Sequence, residues 1–133
     1  MNLYYRETTL DIESTVAALR EAFELRRRRS MIAGHEVNTD SMRLRTFAYK
    51  GTSCIACGTK ALFFALERGA HTPEGSRLHL NLWGTDAAGE PLLFTQDHTL
   101  ARANGGLDVL ENSETMCSPC NWSKGSDPAP SAS

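Results

Sequence analysis

The chain has 133 residues, of which 41% are hydrophobic and 23% are charged, and this composition is typical of one compact globular domain. The formal net charge of −2 gives no electrostatic case for whole-chain binding to a polyanion, so any contact with nucleic acid depends on local basic patches. No apolar run approaches the roughly 20 residues of a membrane span, and the first residues lack the order of a signal peptide, which predicts a cytoplasmic protein with no membrane partner.

An amphipathic helix is predicted within residues 9–29, and Asp11 is a plausible N-cap for it. The apolar residues that recur there at three- and four-residue steps are Ile12, Val16, Leu19, Ala22 and Phe23. With the segments that follow it, this helix is expected to make residues 1–50 an N-terminal extension, packed on or accessory to the rest of the chain.

A run of four arginines follows the helical pattern: Arg26, Arg27, Arg28 and Arg29. They crowd the predicted last turn, where the helix dipole favours positive charge. Contact with phosphate is the alternative interpretation, and both can hold. Residues 30–41 are then predicted to be a loop, and residues 42–50 alternate in the manner of a strand.

Four cysteines form two Cys-x-x-Cys pairs, Cys54 with Cys57 and Cys117 with Cys120. In a reducing compartment such cysteines are more often metal ligands or free thiols than disulfides. Two pairs favour one four-thiolate tetrahedral site, and a soft, closed set of four sulfurs suits structural Zn²⁺. Redox-active dithiols or unconnected buried cysteines are the alternatives.

The segment between the cysteine pairs predicts strands. Residues 61–68 favour a strand by their position, although their periodicity alone also fits a helix. Residues 77–98 alternate on both sides of a turn at residues 86–90 and predict a hairpin. That hairpin ends at Asp97 and His98.

The remainder is predicted to contain a loop and two short helices. The Asn-Gly-Gly sequence at residues 104–106 indicates a loop, and a helix is predicted to begin near Asp108. A second helix is predicted to begin near Ser118, where Pro119 suits the first turn. Residues 126–133 have the composition of a disordered tail.

The stretch from residue 97 to residue 125 resembles the HNH endonuclease family. The family pattern of Asp-His, Gly-Gly, Leu-Glu-Asn, Cys-x-x-Cys-Asn and Lys-Gly is present in order as "DH", "GG", "LEN", "CSPCN" and "KG". Residues 54–96 also resemble a zinc-containing subgroup found in bacterial and bacteriophage proteins. The resemblance implies an α+β fold in which residues 51–125 form a ββα-metal finger, stabilised by the four-cysteine zinc site and joined to the N-terminal amphipathic helix.

The resemblance also implies a role for each matching residue. His98 would be the general base that activates water, because neutral imidazole accepts a proton near pH 7. Asp97 and Asn121 would be the ligands of one catalytic divalent cation, and their oxygens suit Mg²⁺ or Mn²⁺. Asn112 would hold the loop that carries the histidine, and Lys124 would contact phosphate. Asn121 makes this a His-Asn-Asn version of the pattern.

Other polar and aromatic residues complete the expected site. Arg102, His79 and the four arginines at 26–29 are expected to contact nucleic acid. Trp83 and Trp122 are interpreted as packing residues rather than as platforms for bases.

The function implied is a metal-dependent HNH endonuclease or nickase acting on DNA, double-stranded as the first expectation. One alternative is a non-catalytic, zinc-stabilised module that binds nucleic acid or protein. Another is a nuclease subunit that is active only within a larger phage or restriction complex. Homodimer formation is left open.

Overall fold

A computed structural model of the chain describes residues 3–125. The strands in this range are β1 (Tyr4–Leu10), β2 (Arg29–Ile32), β3 (His35–Asn38), β4 (Phe63–Gly69), β5 (His79–Thr85), β6 (Pro91–His98) and β7 (Ser113–Cys117). The helices are α1 (Ile12–Glu24), α2 (Met42–Lys50) and α3 (Ser118–Lys124). Two short 3-10 turns, Arg102–Asn104 and Leu110–Asn112, lie in the loop between β6 and β7.

Five strands form one antiparallel sheet in the order β1-β4-β5-β6-β7, and β2 pairs with β3 in a separate hairpin. Alternate side chains of the central strands are apolar and pair across the sheet, Phe64 with Leu82 and Leu66 with Leu80. All four are fully buried. The mixed α+β class predicted from the sequence is confirmed.

Helices α1 and α2 cover one face of this sheet. Phe47 of α2 is fully buried, and its ring lies 6.3 Å from the ring of Phe64 in an edge-on arrangement. Arg20 of α1 donates to the Ala48 carbonyl of α2 at 2.9 Å, which joins the two helices. Residues from β1 to β7 therefore share one core, although the predicted boundary at residue 50 stays a prediction.

The opposite face of the sheet is organised around a buried carboxylate. Glu67 is 2% exposed and accepts hydrogen bonds from Arg6 Nε at 2.8 Å, Asn81 Nδ2 at 2.9 Å and Trp83 Nε1 at 2.7 Å. These donors belong to β1 and β5, on either side of β4. Because a buried charge is costly unless it is paired and hydrogen-bonded, the three donors make Glu67 compatible with the interior.

Strands β5 and β6 pair only beside their connecting turn, through residues 83–85 and 91–93. Further along they diverge, and β6 pairs with β7 instead. Arg43 of α2 donates to the Leu80 carbonyl at 2.6 Å, on the part of β5 that has no β6 partner. The β6-β7-α3 segment is thus attached to the rest of the sheet by a short ladder.

Several predicted elements are confirmed. Helix α1 begins where the sequence indicates, with the Asp11 carboxylate accepting from the Ser14 amide at 2.9 Å. Strand β4, the β5-β6 hairpin and helix α3, with Pro119 in its first turn, are also present. In α1, β4 and the β5-β6 hairpin the apolar pattern agrees with the burial.

The strand predicted for residues 42–50 is wrong, because these residues form α2. The Ser41 hydroxyl caps this helix by accepting from the Leu44 amide at 3.1 Å. The buried residues Leu44, Phe47 and Ala48 follow helical spacing, and this face prevails over the alternation that suggested a strand.

The loop predicted for residues 30–41 is also wrong, because it contains most of the β2-β3 hairpin. Its two turn residues, Ala33 and Gly34, both have positive φ, 50° and 82°, as a tight hairpin turn requires. The expected dipole role of the arginines is wrong as well. Helix α1 ends at Glu24 with no basic residue in its last turn, and the arginines follow it.

The helix predicted to begin near Asp108 is replaced by a 3-10 turn and then β7. Pairing with β6 decides this, since β7 residues from Ser113 to Cys117 each oppose a β6 residue. Strand β1 was not predicted. It forms an edge of the sheet through pairing with β4, which its own sequence does not specify.

None of the helices between residues 3 and 125 is long and apolar enough to cross a membrane. The tail predicted for residues 126–133 lies outside the described residues.

Replacing Phe47 by alanine is expected to lower the free energy of unfolding by about 3–5 kcal/mol, because it leaves a cavity beneath α2. Urea unfolding followed by circular dichroism measures this change. Leu62→Ala is the matched control, since Leu62 is 58% exposed, and it is expected to cost less than about 1 kcal/mol. Equal destabilisation by both changes would contradict the assignment of Phe47 to the core.

Candidate metal centre and adjacent Asp-His site

The four cysteines converge between a loop and a strand-helix junction. Cys54 and Cys57 lie in the loop before β4, Cys117 ends β7, and Cys120 lies in the first turn of α3. Their four Sγ atoms all lie within 4.8 Å of one another, and Cys57 Sγ is 3.9 Å from Cys117 Sγ. A tetrahedral zinc site with Zn–S bonds of about 2.3 Å has sulfurs about 3.8 Å apart, so the cluster can hold a metal such as zinc.

Backbone hydrogen bonds hold the first cysteine pair in place. The Cys57 amide lies 3.5 Å from Cys54 Sγ, and the Gly58 amide donates to the Cys54 carbonyl at 2.9 Å in a turn where Gly58 has a φ of 79°. The Ile55 amide donates to the Thr115 carbonyl of β7 at 2.9 Å. The loop is therefore attached to the strand that supplies the third cysteine.

The thiols of the cluster differ in acidity. Hydrogen bonds with Thr59 lower the pKa of Cys57 to about 6, whereas burial raises the pKa of Cys117 and Cys120. Because metal ligands must be thiolates, a bound cation would offset the cost of ionising the buried pair. Acid would release the metal, since protons compete with it for sulfur.

A second group of polar residues lies at the end of β6, on the side that faces α3. Asp97 is 4% exposed, and Lys124 Nζ lies 3.2 Å from Asp97 Oδ1 and donates to the His98 carbonyl at 3.1 Å. The second oxygen, Asp97 Oδ2, is buried and has no hydrogen-bond partner among residues 3–125. A buried carboxylate oxygen without a partner is costly, and it is a potential cation ligand.

Asn121 lies on the same face of α3 as Lys124, because residues three apart on a helix are neighbours. Its Nδ2 donates to Thr95 Oγ1 at 2.8 Å, and Thr95 shares its face of β6 with Asp97. The amide nitrogen is thus engaged, which leaves the amide oxygen as the group that can serve as a ligand.

His98 is held by an acidic residue that the sequence did not single out. Its Nε2 lies 2.8 Å from Asp108 Oδ1, which also accepts from Gln96 Nε2 at 2.8 Å. The hydrogen bond with His98 lowers the pKa of Asp108, so this carboxylate is ionised and only accepts. Nε2 must then carry the proton, and Nδ1 is the basic nitrogen of the neutral ring.

The loop between β6 and β7 is closed by Asn112. Its Oδ1 accepts from the Leu100 amide at 2.8 Å, and its Nδ2 donates to the carbonyls of Leu100 at 3.0 Å and Leu107 at 2.8 Å. These bonds fold the loop back so that Asp108 reaches His98. The spacing of residues in the sequence does not identify Asp108 as a partner of His98, because the two meet only when the loop folds back.

The Gly-Gly pair of the loop has two separate requirements. Gly105 has a φ of 90°, a backbone conformation that residues with a Cβ atom rarely adopt. At Gly106 a Cβ would overlap the carbonyl of Leu100, the residue that Asn112 holds. The pair therefore permits the close return of the chain.

The residues expected to contact nucleic acid are dispersed over the surface. His79 and Arg102 are exposed, and Arg29 pairs with Glu36 at 3.3 Å. Lys124, in contrast, is only 7% exposed and lies against Asp97. Arg26, Arg27 and Arg28 are exposed beyond α1.

The two tryptophans have different environments. Trp83 is half-buried and contacts Tyr4 edge-on at 6.0 Å, in agreement with a packing role. The packing role predicted for Trp122 is wrong, because this side chain is 90% exposed on α3.

Comparison with protein-family models, curated proteins and solved structures gives no match for this chain. Within residues 3–125, the four cysteines are the one group of three or more His, Cys, Asp or Glu side chains whose ligand atoms are close enough to hold a metal. What the two sites do must therefore be argued from their own geometry.

The purified protein is expected to contain about one Zn²⁺ per chain, because four closed thiolates leave no reason for a second ion there. Cys120→Ser is expected to lose that metal and to lower the melting temperature, as measured by elemental analysis and thermal denaturation. Ser53→Ala, an exposed change beside Cys54, is the control and should keep both. Metal-free protein that melts at the same temperature would contradict a structural metal.

Gly106→Ala is expected to open the loop between β6 and β7, because the added methyl group displaces Leu100. Proton NMR should show the His98 ring losing its hydrogen bond to Asp108, while the zinc content stays unchanged. Ala103→Gly, an exposed change in the same loop, serves as the control. An unaltered His98 signal in Gly106→Ala would show that the contact does not require a glycine.

Proposed function

We propose that the chain is a metal-dependent, HNH-type endonuclease or nickase that hydrolyses DNA phosphodiester bonds. The observation that carries this proposal is the arrangement at the end of β6, where Asp108 holds the His98 ring by a hydrogen bond and the preceding residue, Asp97, is buried against Lys124. Asn112 closes the loop between β6 and β7, as the family resemblance implies. Further support comes from the order β6, loop, β7 and α3, which agrees with a ββα finger.

His98 would act as the general base. With Nε2 hydrogen-bonded to Asp108, Nδ1 accepts a proton from the attacking water, and the resulting imidazolium is stabilised by the ionised carboxylate. Lys124 donates to the His98 carbonyl and so holds the backbone that carries the ring. This is the positioning that general base catalysis needs.

Asp97 Oδ2 and the Asn121 amide oxygen would hold the catalytic cation, and hard oxygen ligands fit Mg²⁺ or Mn²⁺. When bound, such a cation supplies charge neutralisation at the phosphate and at the leaving 3′ oxygen. Lys124 contacts the other oxygen of Asp97, so it leaves Oδ2 available. The four-cysteine cluster, with zinc, would be structural.

A second candidate function is a zinc-stabilised module that binds nucleic acid or protein without cleaving it. The buried pair of Lys124 and Asp97 favours this alternative, because the ammonium group already offsets part of the charge of Asp97 without a metal ion. The presence of an oriented histidine next in sequence to that carboxylate favours the nuclease, since binding alone does not need a base.

His98→Ala is expected to lower plasmid cleavage by about 10²- to 10⁴-fold, because a general base contributes that much. Supercoiled plasmid is incubated at low salt with Mg²⁺, Mn²⁺ or EDTA, and nicked and linear forms are quantified on gels. Asp108→Asn should cause a smaller loss, of about 10- to 100-fold, by misorienting the imidazole.

His71→Ala is the matched control, because His71 is an exposed histidine away from β6. It should cut as the wild type does. Equal activity in His98→Ala would remove His98 from the mechanism. Absence of cleavage in the folded, zinc-loaded wild type under all metal conditions would favour the binding module.

A further inference from the structure

A pocket lined by arginines lies between the end of α1 and the start of α2, away from β6. It has a volume of about 390 Å³. Its lining residues are Phe23, Arg26, Arg27, Arg28, Asp40 and Arg45. Arg45 belongs to α2, so the pocket combines part of the arginine run with a residue from a different element.

The backbone around the pocket holds the arginines in place. The Arg27 amide donates to the Ala22 carbonyl at 2.8 Å, and Arg26 has a positive φ of 54° that turns the chain there. The Arg28 carbonyl accepts from the amides of Thr39 at 3.0 Å and Asp40 at 3.3 Å. The run is therefore fastened to the segment that leads into α2.

The Arg45 guanidinium lies over the Phe23 ring, with Cζ 5.0 Å from the ring centroid. This cation-π contact fixes the side chain at the pocket. Two segments of the chain, the arginine run and α2, thus present positive charge to one space.

The charge of this pocket is not balanced within residues 3–125. No carboxylate lies within 4.0 Å of the guanidinium groups of Arg26, Arg27, Arg28 or Arg45, in contrast to Arg29, which pairs with Glu36. Four arginines against the one acid, Asp40, leave a formal excess of three positive charges around the pocket.

Like charges this close repel, and an anion would relieve that repulsion. The guanidinium fork matches phosphate oxygens in geometry and is weakly hydrated, so phosphate is the anion that it suits best.

We propose that this arginine pocket binds backbone phosphate of the DNA at a distance from the bond that is cut, an inference that rests on the proposed nuclease function. Helix α2, which carries Arg45, also packs against β7 and against the turn that contains Asn112. Its nine residues span about 13 Å. One helix therefore joins the arginine pocket to the turn that contains Asn112, and the proposal requires that one duplex contact both.

The test compares two double variants that remove equal charge. Arg28→Gln with Arg45→Gln alters the pocket, whereas Lys60→Gln with Arg77→Gln removes two exposed positive charges that do not line it. Binding to a fluorescent duplex is measured by anisotropy in EDTA over a range of salt concentrations. The pocket variant is expected to bind about tenfold more weakly and to lower the slope of log K against log salt by about 2. The Lys60 and Arg77 control variant should change affinity by less than about twofold.

An equal loss of DNA affinity in both variants would overturn the proposal, since every exposed positive charge would then contribute equally to DNA binding. Circular dichroism and melting curves check that each variant folds. If the pocket variant fails to fold because Phe23 loses its partner, Arg27→Gln with Arg28→Gln takes its place with the same expectation.

Inorganic pyrophosphate is the probe that tests whether the ligand of the pocket is DNA or a small free phosphate. If it raises the melting temperature of the wild type and not of the pocket variant, while DNA affinity is the same in both, the pocket takes free phosphate and the DNA anchor is overturned. Binding in EDTA is independent of cleavage. DNA binding that is weakened in the pocket variant, with no metal-dependent cleavage by the wild type, would support this inference and overturn the nuclease function. Metal-dependent cleavage by the wild type, with unchanged DNA affinity in the pocket variant, would support the nuclease function and overturn this inference.

Discussion

The convergence of four cysteine sulfurs is the constraint on which the candidate site depends. Helix α3 has only seven residues, and isolated helices of that length are not stable in water. Cys120 in its first turn and Cys117 just before it lie against Cys54 and Cys57 of the loop, so a metal held by the four would fasten the helix to that loop. Such a metal would also keep Asn121 and Lys124 in position opposite β6, because both residues belong to this helix.

The chemistry at the end of β6 depends on the different burial and hydrogen bonding of two carboxylates, Asp97 and Asp108. Asp97 is buried and only half compensated, by Lys124 at one oxygen. Asp108 is more exposed, and its Oδ1 is engaged by both His98 and Gln96. Asp97 thus has an oxygen that can accept a cation, whereas Asp108 orients the His98 imidazole. This difference in environment supports separate roles for two residues of the same type.

Strong local patterns made much of this arrangement predictable from the sequence. Asp11 and the apolar spacing of α1, the alternation in the β5-β6 hairpin and the two cysteine pairs each carry their signal within a few residues. The cysteine cluster was the clearest of these, because spacing alone indicates a shared ion.

Elements that depend on distant partners were not predictable in the same way. Residues 42–50 alternate and also repeat at helical spacing, and only packing of Phe47 against Phe64 decides for a helix. Strand β1 is defined by pairing with β4, and Asp108 meets His98 only because Asn112 folds the loop back. These outcomes belong to tertiary structure, which periodicity does not encode.

The wide separation of the cysteine pairs has a consequence for how the chain folds. Cys57 and Cys117 are 60 residues apart, so the cluster closes a long loop that encloses β4, β5 and β6. Closing such a loop has an entropic cost that other contacts must offset before the four sulfurs come together. Contacts between residues far apart in sequence also slow folding. With a metal as the group that joins the four sulfurs, sheet formation and metal capture would be kinetically coupled, and a newly made chain without the ion would expose the apolar surfaces of β6 and β7 for longer.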